Sequence, residues 1–179
     1  MPDAPQPIRT LASREVYANR WMRVREDEIE FPDGTAGRYG VVDKADFAIV
    51  IPWDGERFHL VTQYRYPVGE RCLEFPQGGS EGEADPAEVA RRELEEETGL
   101  RAGRLRRLGR LHHAAGFCSQ SFHAFVAEDL GAGEQRLEPS EQGLEVVALT
   151  REELHRAILG GELRDGPSVA AYGLLRLGK

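Results

Sequence analysis

The stretch "EFPQGGSEGEADPAEVARRELEEETGL" (residues 74–100) joins a glycine-rich segment to a run of glutamates, and it predicts a loop that leads into a helix. Asp85 is a good N-cap residue, and Pro86 fits the first helical position because its missing N–H needs no partner there. Gly99 is a typical residue for the end of a helix. These signals predict a helix over residues 86–98.

The glutamates of this helix are spaced so that three carboxylates share one face. Glu93, Glu96 and Glu97 stand at i, i+3 and i+4, and side chains at these spacings lie together. Arg92 lies one turn before Glu96 and can orient it. Charge runs are usually solvated surface, and like-charge pairs on an exposed helix cost only about 0.2–0.5 kcal/mol each. Hard cations prefer oxygen ligands, so a solvated face and a metal site both fit the pattern.

Upstream, alternation of apolar and polar residues predicts strands. Residues 14–43 alternate around "PDGTAG", which predicts a small antiparallel sheet. Residues 47–53 are typical of a buried strand, and residues 57–66 are predicted to pair with them as a second hairpin. Residues 71–76 are predicted to form a short strand that ends at the proline, and residues 77–83 a glycine-rich loop.

The downstream half predicts strands followed by terminal helices. Strands are predicted at residues 104–112, 121–128 and 144–149, and helices at residues 151–160 and 167–177. The strands come in groups without regular intervening helices. This order favours a mixed α/β (α+β) sandwich over a doubly wound parallel sheet.

Composition narrows the class of protein. A chain of 179 residues with 40% apolar and 30% charged residues is long enough for one folded domain with an appendage. The net charge of -8 argues against a nucleic-acid partner, because there is no surplus of lysine and arginine to neutralise phosphates. Cys72 and Cys118 have neither metal-finger nor redox spacing, so we expect reduced thiols. No segment is apolar enough to span a membrane, and we expect a cytoplasmic protein without a membrane partner.

Gly78 and "RELEEETGL" (residues 92–100) together resemble the signature of the Nudix hydrolases. That signature runs from a glycine through an intermediate glutamate to Arg-Glu-aliphatic-x-Glu-Glu-x-Gly-aliphatic, and the separation from glycine to arginine matches. The intermediate glutamate falls at Ala84, whereas Glu83 stands one residue early. The resemblance implies an α/β/α sandwich.

The same resemblance implies roles for the residues of the signature. Glu93, Glu96 and Glu97, with a backbone carbonyl near Gly78, would bind Mg²⁺ or Mn²⁺, and Glu96 would serve catalysis. Arg92 would brace the helix.

The segments before this signature are similar to the ADP-ribose pyrophosphatase branch of the family. There an N-terminal sheet, here within residues 1–45, serves dimerisation and substrate binding, and residues 46–179 would form the hydrolase core. The resemblance places Arg65 and Glu74 near the substrate and Trp21 where it can stack on the base. The alternatives are a surface charge for Arg65 and an interface or core aromatic for Trp21.

Downstream of the helix, the resemblance has matches and departures. The branch carries Ser-Pro-Gly followed by a glutamate where this chain has Ala114, Ala115, Gly116 and Gln120. The loop "EPSEQGLE" resembles the branch's catalytic loop. Glu141 is our choice as general base, and Glu138 and Glu145 are its competitors. The histidines of the neighbouring strands are weak ligand candidates, namely His112, His113 and His123.

We therefore expect a metal-dependent homodimeric enzyme that hydrolyses a nucleoside diphosphate sugar, first of all ADP-ribose to AMP and ribose 5-phosphate. GDP-mannose or another sugar nucleotide is the alternative substrate. A non-catalytic module that binds a nucleotide sugar is the alternative from another class.

Overall fold

The computed structural model describes residues 8–80 and 85–178 of the chain. Ala84 and the early Glu83 therefore lie outside the described residues. The strands are β1 (Arg9–Ala18), β2 (Arg23–Glu30), β3 (Ala36–Asp43), β4 (Phe47–Pro52), β5 (Arg57–Arg65), β6 (Glu70–Glu74), β7 (Gln77–Gly79), β8 (Leu100–His112), β9 (Ser121–Ala132) and β10 (Glu145–Thr150). The helices are α1 (Pro86–Thr98), α2 (Arg151–Gly160) and α3 (Gly166–Leu177), with a short 3₁₀ turn at Pro139–Glu141.

The chain divides into two compact units. The first comprises Met1–Ala45 and His112–Ser121, and the second comprises Asp46–Leu111 and Phe122–Lys179. In the first unit, β1, β2 and β3 form an antiparallel sheet in that order, which confirms the predicted N-terminal sheet. Gly34 has a φ of 83° in the turn between β2 and β3, a conformation that glycine adopts without steric cost.

The second unit is organised around strand β4. It lies inside a four-stranded sheet of order β7-β4-β9-β8, antiparallel to β7 and parallel to β9. Successive side chains of a strand point to opposite faces. Ile49 and Ile51 enter one apolar cluster, whereas Ala48 and Val50 enter another. Both faces of β4 are therefore buried.

Different elements cover the two faces of this sheet. On one face, α1 contributes Val89, Ala90 and Leu94 to the cluster around Val50. On the other face, α2, α3 and the second sheet, of order β10-β5-β6, pack around Ile49. Phe58 of β5 lies in the centre of that cluster, with its ring centroid 6.3 Å from Phe75. This arrangement confirms the predicted α/β/α sandwich.

The predicted hairpin between residues 47–53 and 57–66 is wrong. The strands exist, but β4 and β5 belong to different sheets and share only an isolated bridge between Trp53 and Phe58. Both edges of β4 are already hydrogen-bonded, to β7 and β9, so no edge remains for β5. Strand β5 pairs instead with β6 and β10.

The segment predicted as a glycine-rich loop also differs. Gln77–Gly79 forms the short strand β7, in which Gly78 stands opposite Ala48 and Gly79 opposite Phe47. Glycine favours irregular backbone but does not forbid an extended one. Pairing with β4 overrides the local preference.

Two expectations about the chain as a whole can be compared with the structure. Within residues 8–80 and 85–178, no helix is both long and apolar enough to cross a membrane. Cys72 and Cys118 are both free thiols. The cysteines therefore do not cross-link the fold.

Two leucines on α2 give a direct test of the packing. Leu154 is fully buried in the cluster around Phe58, whereas Leu159 on the same helix is 88% exposed. We expect Leu154→Ala to lower the free energy of unfolding by about 2–5 kcal/mol, because it opens a cavity. The control Leu159→Ala should change it by less than about 0.5 kcal/mol. Denaturant unfolding measures both, and equal effects would contradict this packing.

Candidate metal centre

Helix α1 is placed by signals that the sequence already carries. It begins at Pro86, the Asp85 side chain accepts a hydrogen bond from the Ala87 amide, and it ends at Gly99 with a φ of 69°. The predicted bounds of residues 86–98 are confirmed. Its inner face packs on β4, which turns the carboxylates of that face toward the interior.

Two of these carboxylates are buried. Glu93 is 5% exposed and Glu97 is 1% exposed. Glu141, from the 3₁₀ turn after β9, joins them, and one oxygen from each of the three residues lies within 4.8 Å of the others. Glu97 Oε2 is buried and has no hydrogen-bond partner among the described residues. The structure thus gathers acidic oxygens from two distant segments.

The electrostatics of this cluster oppose ionisation. Burial raises the pKa of Glu93 to about 8, against the attraction of Arg92 and with added repulsion from Glu141 and Glu96. Burial also raises the pKa of Glu97 well above its usual range, with repulsion from Glu93 and Glu141. Arg65 and the main-chain amide of Gln77 oppose that second shift. Among the described residues, the attraction of Arg92 and Arg65 does not offset the effect of burial on these two carboxyl groups.

A divalent cation fits these residues. Mg²⁺ and Mn²⁺ prefer carboxylate oxygens, and the three glutamates offer them at close range. The unpartnered Glu97 Oε2 is a buried acceptor that a cation would satisfy. The donor set therefore suits a divalent cation, and it contains two of the three predicted helix ligands, Glu93 and Glu97.

Gly78 lies directly against Glu93. A Cβ atom built at Gly78 would overlap the Glu93 carboxylate, whereas one at Gly79 would meet no atom within 4 Å. The lack of a side chain at Gly78 therefore leaves room for the carboxylate between α1 and β7.

Arg92 connects the helix to the same strand. Its Nη1 lies 2.9 Å from Glu93 Oε1 and 2.9 Å from Glu96 Oε2. Its Nη2 donates to the Gly79 carbonyl at 2.6 Å. These contacts would allow Arg92 to brace the helix. They also hold the Glu96 carboxylate, which is not among the three clustered groups.

A loop that the sequence analysis did not single out caps the C-terminal end of α1. The Gly133 amide donates to the Gly99 carbonyl at 2.7 Å, and the Arg136 amide donates to the Glu96 carbonyl at 2.9 Å. Gln135 Nε2 donates to the Glu97 carbonyl at 2.7 Å. The last carbonyls of a helix lack partners within it, and this loop supplies them. No sequence signal identifies Gln135, because its partner is a main-chain atom far away in the chain.

Among the three candidate loop glutamates, only Glu141 belongs to the described carboxylate cluster. Its Oε2 accepts a hydrogen bond from the Glu138 amide at 2.8 Å, which fixes the side chain over its own turn. Glu138 is exposed. Glu145 begins β10, is exposed, and lies 4.0 Å from Arg71 Nη2.

The predicted substrate residues fall in both units. Arg65 donates from Nε to Glu74 Oε1 at 2.8 Å and from Nη2 to Glu74 Oε2, and Glu74 is 2% exposed. This pair belongs to the second unit. Trp21 belongs to the first unit and is 62% exposed, with the guanidinium carbon of Arg20 4.1 Å from its ring centroid.

The residues of the segment after β8 have structural partners. Gln120 is buried and donates to the Ala45 carbonyl at 2.6 Å. His112 Nδ1 lies 3.0 Å from Ser121 Oγ. His123 contacts Arg107 and Asp46. None of the histidines in the described residues joins the carboxylate cluster.

Comparisons with known proteins identify two matching family models and several relatives of similar length. Residues 8–42 match the family model described as "Nucleoside diphosphate sugar hydrolase N-terminal domain", and residues 43–171 match the one described as "NUDIX domain". The chain is 28% identical over 171 residues to the ADP-ribose pyrophosphatase of Bacillus subtilis (strain 168), which covers 94% of this chain and 92% of that protein. The methanol dehydrogenase activator of Bacillus methanolicus matches with the same identity, 28%, and the same coverage, 94% and 92%.

A solved structure extends the comparison. A crystal structure of ADP compounds hydrolase has a TM-score of 0.85 and 23% sequence identity, covering 97% of this chain and 95% of that one. At this identity the likeness supports the fold.

The two adjacent glycines of β7 test the contact with Glu93. We expect Gly78→Ala to displace the Glu93 carboxylate, because the added methyl group would overlap this end of the glutamate side chain. It should also weaken the stabilisation that added Mg²⁺ gives in thermal unfolding. Gly79→Ala is the matched control and should keep both properties. Equal behaviour of the two variants would contradict the contact.

The raised pKa of Glu93 predicts how stability depends on pH. Between the ordinary value of 4.5 and about 8, folded Glu93 keeps a proton that the unfolded chain has released. The free energy of unfolding of metal-free protein should therefore fall as pH rises through this window. Thermal unfolding with a chelator measures it.

The matched variants for this test lie on the same helix. Glu93→Gln should reduce the pH dependence, and Glu97, whose pKa burial also raises, should supply what remains of it. Glu88→Gln, at an exposed position, should preserve the wild-type pH dependence. Added Mg²⁺ should stabilise the protein more at pH 8 than at pH 5.5, because fewer protons compete for the carboxylates. If the melting temperature of metal-free protein rose from pH 5 to pH 8, the raised pKa of Glu93 would be refuted.

Proposed function

Because the chain belongs to the Nudix hydrolase family, we propose that it hydrolyses the diphosphate of a nucleoside diphosphate sugar, with ADP-ribose as the first candidate. The carboxylate cluster of Glu93, Glu97 and Glu141 is the observation that carries this proposal. The match of residues 8–42 to a nucleoside diphosphate sugar hydrolase domain supports the substrate class. The Bacillus subtilis relative, an ADP-ribose pyrophosphatase, supports the choice of sugar.

The cofactor of this proposal is Mg²⁺, with Mn²⁺ as a substitute. Glu93, Glu96 and Glu97 would hold it, together with a main-chain carbonyl near Gly78, and Glu141 lies close to Glu93 and Glu97. Magnesium, when bound, supplies positive charge against the diphosphate and acidifies water. The buried cluster, poor in compensating positive charge, suits this task because electrostatic interactions are stronger away from bulk water.

The chain's own residues would carry the proton and orient the substrate. Glu141 would accept a proton from the water that attacks phosphorus. The new P–O bond would form as the bridging P–O bond breaks, releasing AMP and ribose 5-phosphate from ADP-ribose. The short turn at Pro139–Glu141, held by the bond from the Glu138 amide to Glu141 Oε2, would present this carboxylate to the reacting group.

Arg65 is the proposed cationic contact for the substrate. Its bonds to Glu74 use Nε and Nη2, which leaves Nη1 outside that pair. The attraction of Glu74 raises the pKa of Arg65, so the guanidinium keeps its charge. A fixed guanidinium suits a phosphate or a ribose hydroxyl group.

The N-terminal region completes the proposal. Trp21 would stack on the nucleobase, for which a flat and exposed indole is suitable. Residues 1–45 would serve dimerisation and substrate binding, and residues 46–179 would form the hydrolase core. We propose that the protein acts as a homodimer in the cytoplasm.

A different sugar nucleotide, such as GDP-mannose, is the second candidate. Ala114, Ala115 and Gln120 favour it, because they differ from the pattern that the ADP-ribose branch carries at these positions. The buried acidic cluster favours an enzyme over a non-catalytic nucleotide-binding module.

A substrate panel in ¹⁸O-labelled water tests the function. Purified protein with Mg²⁺ should release AMP and ribose 5-phosphate from ADP-ribose faster than it cleaves GDP-mannose, a dinucleoside polyphosphate or coenzyme A. Mass spectrometry of the products identifies the phosphate that takes up the label, and hence the attacked phosphorus. Faster cleavage of GDP-mannose would select the second candidate. If no diphosphate of the panel is cleaved with Mg²⁺ or Mn²⁺, the proposal fails.

Replacing one clustered carboxylate should separate activity from stability. We expect Glu97→Gln to lower kcat on the order of 100-fold or more, because a metal ligand is lost. The same change should raise the melting temperature of metal-free protein, because it removes a buried carboxylate with an unpartnered oxygen. Steady-state kinetics and thermal unfolding measure the two effects.

Glu88→Gln is the control, since Glu88 lies on the same helix with a side chain that is 64% exposed. It should keep both the rate and the melting temperature. Wild-type kcat in Glu97→Gln would remove Glu97 from the site.

A further inference from the structure

The side chain of Gln77 lies between two carboxylates that belong to different parts of the fold. Its Nε2 is 2.9 Å from Glu74 Oε2 in β6 and 3.2 Å from Asp165 Oδ2 at the start of α3. Carboxylates accept hydrogen bonds, and the NH₂ group of an amide has two hydrogens to donate. One glutamine nitrogen therefore joins both groups.

Asp165 is itself firmly held. It is the N-cap of α3, and its Oδ2 accepts the Ser168 amide at 2.9 Å and the Ser168 hydroxyl at 2.6 Å. The Ser168 hydroxyl oxygen in turn accepts the Phe75 amide at 2.9 Å. Ser168 is fully buried and Phe75 follows Glu74 directly in the chain. These hydrogen bonds, with the peptide bond between Glu74 and Phe75, thus form a closed ring. It runs from Glu74 through Phe75, Ser168, Asp165 and Gln77 back to Glu74.

Glu74 connects this ring to Arg65, the proposed substrate contact. Glu74 uses both oxygens on Arg65 and also accepts from Gln77. The direction of the Arg65 guanidinium therefore depends on the orientation of Glu74, and Gln77 limits that orientation.

The main chain of Gln77 lies on the side of the carboxylate cluster. Its amide lowers the pKa of Glu97, and the residue stands opposite Ile49 in the pairing of β7 with β4. The next residue along the strand, Gly78, lies against the Glu93 carboxylate. Substitution of the Gln77 side chain leaves this main-chain arrangement in place.

We propose that Gln77 is a positioning residue, anchored by Asp165, that fixes the Glu74 carboxylate and through it the Arg65 guanidinium for binding the sugar nucleotide. The inference rests on the proposed function, because it assigns Arg65 to the substrate. It adds two residues, from β7 and from the cap of α3, that contact neither the substrate nor the metal in this proposal.

Gln77→Met tests the role, because methionine has a similar length and no amide donor. Its KM for ADP-ribose should rise about tenfold, as expected for loss of a hydrogen bond to a charged group, while kcat changes less than about threefold. The half-saturating Mg²⁺ concentration should stay at the wild-type value. Calorimetric affinity for an α,β-methylene analogue of ADP-ribose, which is not cleaved, should fall by the same factor as KM rises.

Variants of Asp165 test the same positioning role from the other side of the contact. Asp165→Ser keeps a good N-cap for α3 but has a side chain too short to reach Gln77, so it should raise KM about as much as Gln77→Met. The double variant should be no worse than either single one, because the two residues act through one contact. Asp165→Asn keeps an acceptor oxygen and should recover most of the wild-type affinity.

The outcomes separate this inference from the function on which it rests. If wild-type protein cleaves no diphosphate, both fail. If it cleaves ADP-ribose but folded Gln77→Met and Asp165→Ser keep wild-type KM and analogue affinity, only the positioning role fails. The positioning role would also fail if the increases in KM of the two single variants multiplied in the double variant. It would fail as well if the variants lowered the melting temperature and left KM unchanged, because the ring would then serve only stability.

Discussion

The buried carboxylates of Glu93 and Glu97 are the constraint around which the second unit is built. Removing an ionised carboxylate from water costs several kcal/mol unless charge or hydrogen bonds compensate it. Each fully buried aliphatic side chain contributes only about 1.5–3 kcal/mol. The apolar contacts of α1 with β4, through Leu94 and Val50, hold the helix in a position that its own glutamates oppose. The fold thus keeps in place two acidic groups whose ionisation is opposed by burial and by each other.

Strand β7 is the place where the two halves of the proposed site meet. Gly78 gives room to the Glu93 carboxylate, and the Gly79 carbonyl receives Arg92. The Gln77 amide lowers the pKa of Glu97, and the Gln77 side chain donates to Glu74. Three consecutive residues therefore serve three different contacts, which is possible because an extended backbone alternates its side chains while its amides and carbonyls point along the sheet.

The parts that sequence analysis predicted correctly are those fixed by local chemistry. Helix α1 has its predicted bounds because Asp85 and Gly99 act within one turn of its ends. The pairing of β4 was not predictable in the same way, because alternation assigns faces to a strand but does not identify its neighbours. Gln77–Gly79 was misassigned because glycine signals an irregular backbone wherever tertiary pairing is unknown. The segments 14–43 and 151–160 needed no such distant partner to be recognised.

The same distinction between local and distant contacts decides which parts of the site could be predicted from the sequence. The spacing of Glu93 and Glu97 placed them on one face, but spacing cannot tell a buried face from a wet one. Glu141 entered through resemblance to a family, since nothing local distinguishes it from Glu138. The contacts of Gln77 join segments that are distant in the chain, so they emerge only from the folded structure.

The bonds from the Gly133–Arg136 segment to the end of α1 have a consequence for how the chain can vary in length. They form a fixed point a few residues before Glu141. One residue inserted between Arg136 and Pro139 could move Glu141 by up to about 3.5 Å. That distance is comparable with the 4.8 Å within which the cluster's oxygens lie. This short connection therefore has to keep its length if Glu141 is to stay in the cluster.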